Sequence, residues 1–113
     1  MQVLSTIATV LADMHASGYV HSNIKPSNIL WLPRQGMWAP VDFANASHIG
    51  AQTPVAIHTL GYAAPELAQA FQRGDQLMKA STTADAWALG IVAFELLYGC
   101  PALKVATLGH NKV

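Results

Sequence analysis

Residues able to do chemistry crowd into one eight-residue stretch, His21-Ser22-Asn23-Ile24-Lys25-Pro26-Ser27-Asn28, followed at once by the apolar run Ile29-Leu30-Trp31-Leu32. Pro26 fixes its own φ and drives Lys25 out of the helical region, so the stretch must be a shaped loop. A cation at Lys25 and an amide at Asn28 then project from one rigid turn. That arrangement suits a phosphate oxygen and a hard metal ion respectively. Taken alone, the stretch reads equally well as a solvated turn, because Lys-Pro and Pro-Ser pairs are ordinary loop vocabulary.

The flanking segments show what must position the loop. Leu4, Ile7, Leu11 and Met14 recur at three- and four-residue steps, which predicts an amphipathic helix over residues 2–16, with Gly18 in a left-handed turn after it. Residues 28–32 and 38–43 are β-type runs around Pro33-Arg34-Gln35-Gly36, the pattern of a hairpin. Residues 45–63 mix glycine, proline, histidine and hydroxyls without a period. A short helix is expected over 67–73, closed by Gly74-Asp75. A long one opens at Ser81-Thr82-Thr83, runs to about Tyr98 and stops at Gly99-Cys100-Pro101. Asp85, near its start, can accept backbone N–H bonds at the favourable end of the dipole. Trp87, Leu89, Ile91, Val92, Phe94, Leu96 and Leu97 leave this helix almost no polar face, so it should be buried on most sides as the core post. The expected class is mainly α with one small β-hairpin (α+β).

Composition narrows the function. At 113 residues there is room for one small domain. With 52% hydrophobic and 11% charged residues, some apolar surface is expected to want a partner. A formal net charge of zero argues against nucleic acid and against a polybasic membrane anchor. The single Cys100 can form no intrachain disulfide, and no Cys/His cluster has zinc spacing, which points to a reducing, intracellular and cytoplasmic setting. The apolar opening lacks a basic leader and runs into Asp13-Met14-His15, so it reads as a helix rather than a signal peptide. No apolar run reaches the length of about eighteen residues that a transmembrane helix needs.

Four motifs, in order, give the chain a resemblance to the C-terminal lobe of protein kinases. The catalytic loop of that family reads His-Arg-Asp-Leu-Lys-Pro-x-Asn; His21, Lys25, Pro26 and Asn28 match, while Ser22 replaces the arginine and Asn23 the catalytic aspartate. The lead-in Met14-His15-Ala16-Ser17-Gly18-Tyr19-Val20-His21 is also similar to the family's, which makes His15 structural. Asp42-Phe43-Ala44 resembles Asp-Phe-Gly, and a carboxylate there, near the hairpin strand bearing Asn28, would make a two-ligand oxygen site for magnesium. Residues 45–63 correspond to the activation segment, closing with Thr59-Leu60-Gly61-Tyr62-Ala63-Ala64-Pro65-Glu66, similar to Thr-x-x-Tyr-x-Ala-Pro-Glu. Asp85-Ala86-Trp87-Ala88-Leu89-Gly90 resembles Asp-x-Trp-x-Leu-Gly, whose aspartate buttresses the catalytic loop from beneath. Lys25 and Thr59 favour the serine/threonine branch.

The resemblance implies a partial kinase domain over residues 1–113, with ATP and magnesium as cofactors and a protein as substrate or partner. It assigns Lys25, Asn28 and Asp42 to nucleotide and metal, with Asn28 and Asp42 as the metal ligands. Asn23 and Lys25 take the catalytic positions, Thr59 the activation segment, and His21, Glu66 and Asp85 structural roles. A glycine-rich loop, a strand lysine paired to a helix glutamate, and helices after residue 103 are absent from the sequence, so the N-terminal lobe is expected to be missing. Asn23 can orient a hydroxyl but cannot accept its proton, a loss of about 10² to 10⁴-fold, and catalysis by the chain alone is not expected. Without the arginine that Ser22 replaces, phosphorylation at Ser47 or Thr53 should order little. Three readings stay open: a serine/threonine kinase or a piece of one, a non-catalytic pseudokinase module that binds protein, and a truncated remnant. A Glu66 lacking its family arginine, and a long helix lacking its later neighbours, further imply self-association or a bound partner.

Overall fold

Helix α1 (Gln2–Ala16) forms over the expected span and turns Ile7 and Leu11 into the core, with Leu4 and Met14 packed partly against them. Gly18, at φ +92°, reverses the chain. The structure, a computed structural model, describes residues 2–57 and 60–99. After α1 come strand β1 (Tyr19–Val20), a 3-10 turn (Pro26–Asn28), and the hairpin of β2 (Ile29–Leu32) and β3 (Met37–Pro40). Its register pairs Ile29 with Pro40 and Trp31 with Trp38, whose rings meet edge to face at 5.5 Å. Gly36 supplies the positive φ of the connecting turn.

The region without a period holds two further strands, β4 (Ser47–His48) and β5 (Gln52–Pro54). Helix α2 (Pro65–Arg73) opens with proline at its first turn and ends on Gly74 at φ +78°, whose N–H bonds back to Ala70 and Phe71. Strand β6 (Leu77–Lys79) leads to α3 (Thr82–Tyr98), capped by Ser81 Oγ, which accepts from Thr83 N–H at 3.2 Å, and closed by Gly99 at φ +67°.

The chain is thus helical with small antiparallel sheets, but the expectation of a single hairpin is corrected. There are three two-stranded sheets, β1 with β4, β2 with β3, and β5 with β6. The extra strands have two or three residues each, too few to carry a readable alternation, and pair across long sequence separations. Two apolar clusters result. Ile7, Leu11, Ile24, Ile29, Ala88 and Val92 form the main core, while Val55, Leu67 and Ala70 form a smaller one under the segment after β5.

Helix α3 also departs from expectation. It buries only Asp85, Ala88 and Val92, and leaves Trp87, Phe94, Leu96, Leu97 and Tyr98 exposed, the last two at 64% and 68%. Being apolar all round therefore does not place it at the centre of the described residues; one flank meets the core and another faces outward. No helix among the described residues is long and apolar enough to cross a membrane.

Candidate active site

Asp85 anchors the site from below. Its side chain, 1% exposed, accepts the N–H of His21 at Oδ2 (2.8 Å), the N–H of Ser22 at Oδ1 (2.9 Å) and His15 Nε2 at Oδ2 (2.9 Å). The backbone donors expected for it near its own helix start are instead those of the distant loop, and Ser81 takes the capping role. This grip holds Ser22 at φ +76°, a left-handed conformation that costs a non-glycine residue of order 1 kcal/mol or more.

His21 is fully buried and uses both ring nitrogens. Nδ1 accepts the N–H of Asn23 at 3.1 Å and Nε2 donates to the Val41 carbonyl at 2.9 Å, a pattern that fits one neutral tautomer. Phe43 packs edge to face on its ring at 5.0 Å. The loop and the hairpin end are thereby tied together, and two further bonds complete the tie. Val41 N–H donates to the Asn28 carbonyl at 2.8 Å, and Asn28 Nδ2 donates to the Asn23 carbonyl at 2.8 Å.

Asn28 thus lies across the hairpin backbone from Val41, and Asp42 is the next residue along the chain. With Nδ2 turned toward Asn23, Asn28 keeps its amide oxygen for a cation. Asp42, exposed at φ +63°, heads a 3-10 turn (Phe43–Asn45) without spending its carboxylate on a cap bond. An amide oxygen and a carboxylate oxygen are hard donors that fit magnesium, whose remaining ligands are ordinarily phosphates and waters. No group of three His, Cys, Asp or Glu among the described residues could hold a metal without such help. Lys25, extended at φ −161° and half-buried, precedes the 3-10 turn that carries Asn28. Asn23 is half-buried with its backbone engaged on both sides, through His21 and Asn28.

Other expected residues lie apart. Thr59 falls outside the described residues. Glu66, in the first turn of α2, is exposed and accepts from Thr83 Oγ1 at 3.4 Å, so the lack of a family arginine leaves no buried charge there. Two contacts escaped sequence reasoning. One is His15 on Asp85, for which the Met14-His15 lead-in was the available signal. The other is the Tyr62 hydroxyl, which donates to Glu95 Oε1 at 2.7 Å. Burial, reinforced by the Glu95 carboxylate, pushes the Tyr62 phenol well above the ordinary tyrosine range.

Comparison with known proteins follows this geometry. Residues 1–112 match the protein kinase domain family. The human serine/threonine-protein kinase Kist is 36% identical over 99 residues, covering 82% of this chain and 23% of that protein. Human myotonin-protein kinase is 37% identical over 100 residues, 85% of this chain and 16% of its own length. Rat citron rho-interacting kinase is 35% identical over 101 residues, 85% of this chain and 5% of its own. The chain thus spans less than a quarter of the length of these relatives. On the family match and on identities above a third across most of its length, this chain belongs to the protein kinase family.

Proposed function

We propose that residues 1–113 form the C-lobe part of a serine/threonine-type protein kinase domain that can meet nucleotide and magnesium but transfers phosphate poorly. The observation that carries this reading is Asn23, held between His21 and Asn28 at the position where the family places its base. In phosphoryl transfer the protein mainly positions groups and neutralises charge, while the loop carboxylate receives the hydroxyl proton at the end. An amide there can hold a serine or threonine hydroxyl by a hydrogen bond but offers no basic oxygen. Asn28 and Asp42 would hold the metal, which would shield the phosphate charge when bound. Leu30, in β2 two residues beyond Asn28, is exposed and offers apolar surface for a nucleotide base. Lys25 would face the phosphate end.

Calorimetry of the purified chain with ATP and magnesium tests the nucleotide half of this reading. Weak, magnesium-dependent binding that Asp42→Ala removes is the expected result; a dissociation constant in the low micromolar range would overturn it. Phosphate transfer to serine or threonine peptides should stay at background.

The uncovered stripe of α3 favours a second reading, a non-catalytic module that binds protein through Phe94, Leu97 and Tyr98. The first reading needs Asp42 as an oxygen ligand for the metal, whereas the second rests on the exposed face of α3 and makes no use of Asp42.

A further inference from the structure

Residues 47–57 are fastened by backbone bonds on two sides. Toward α1, His48 and Ser47 pair with Tyr19 and Val20, and Ile49 N–H donates to the Gly18 carbonyl at 2.9 Å. Toward α3, Gln52, Thr53 and Pro54 pair with Lys79, Met78 and Leu77. Three bonds extend that ladder: Gly50 N–H to the Ala80 carbonyl (2.8 Å), Ala80 N–H to the Ala51 carbonyl (2.8 Å) and Val55 N–H to the Gln76 carbonyl (2.9 Å). Strand alternation turns Thr53 and Met78 inward and Lys79 outward; Thr53 is 6% exposed while Gln52, Pro54, Leu77 and Lys79 are all exposed. Beneath the strap, Val55 packs on Leu67 and Ala70.

We propose that this strap is a latch, closed in the unmodified chain and opened by an anionic group at Thr53. Its order comes from main-chain bonds that need no phosphate. The Thr53 hydroxyl donates to the Met78 carbonyl at 3.2 Å. A carboxylate or phosphate in its place has only acceptor oxygens, so it would face that carbonyl with like partial charge inside a dry site. The cation of β6, Lys79, sits on the outer face, and Ser22, where the family has arginine, is buried and uncharged. The sign is opposite to the ordering that phosphate produces beside an arginine cluster. The inference concerns the strap alone and holds whether or not the loop transfers phosphate.

Amide hydrogen exchange on the full chain tests it. In the wild-type and Thr53→Val proteins, Gly50, Val55 and Ala80 should be protected. Thr53→Glu should speed their exchange on the order of 10-fold or more while Leu11 and Val92 stay protected. Ala80→Pro removes one ladder donor without adding charge and supplies the open reference. Three results would overturn the latch: wild-type exchange at Gly50 and Val55 as fast as in Ala80→Pro, wild-type protection retained in Thr53→Glu, or loss of protection in Thr53→Glu that extends equally to Leu11 and Val92.

Discussion

A single buried carboxylate decides whether the loop holds its shape. Removing it by Asp85→Ala leaves the His21 and Ser22 N–H groups buried without acceptors and Ser22 strained without compensation, a predicted cost of about 3–5 kcal/mol. Urea unfolding should show a lowered midpoint, and Asp85→Asn, which keeps an acceptor oxygen, should recover part of the loss. At Asn23 the expectation runs the other way, since Asn23→Asp should fold normally yet show no phosphate transfer. It restores a base but does not by itself position the triphosphate. Transfer by purified Asn23→Asp protein that Asp42→Ala abolishes would sink this prediction. Which residues were legible follows from distance along the chain. The neighbourhood of His21, Asn28 and Asp42 could be read because a loop and the following hairpin are local. His15 with Asp85 and Tyr62 with Glu95, 70 and 33 residues apart, could not, because spacing alone does not encode a tertiary contact.

Among the elements, the three helices and the hairpin were legible from period, caps and glycines, while β4, β5 and β6 were not. Strands this short are specified by the strand each one meets, and their own residues carry little β pattern. Helix α3 shows the same limit, since its apolar residues could not say which flank would find a neighbour. Its exposed stripe predicts concentration-dependent self-association, with Leu97→Glu shifting the population toward monomer in sedimentation at micromolar concentration. A single monomeric species with sharp, cooperative unfolding would count against it. The tie from Tyr62 to α3 carries a pH dependence. Because the folded phenol is held above its unfolded value of 10.0, its contribution is fully present below that pH. It is lost as pH rises above about 10, where the unfolded chain ionises first. Tyr62→Phe should lower stability by about 1 kcal/mol at neutral pH and flatten this alkaline fall, as thermal unfolding across pH 8 to 12 would show.

Taken whole, the described residues are held together by two apolar clusters rather than by ion pairs. On the surface Arg73 pairs with Asp75, which contributes little, and His15 reaches Asp85 by a hydrogen bond. The Asp85 grip has a further consequence for the order of events as the chain is made. Synthesis delivers α1, the loop and the hairpin first, and the first two can meet locally. The acceptor for His21 and Ser22 arrives 64 and 63 residues later. Until then the loop has no reason to adopt its strained turn, and closing so long an excursion is a slow, late step in folding. A nascent chain stalled ahead of α3 would therefore expose Val20, His21 and Ile24, which the finished fold hides, and would depend on chaperones for that interval.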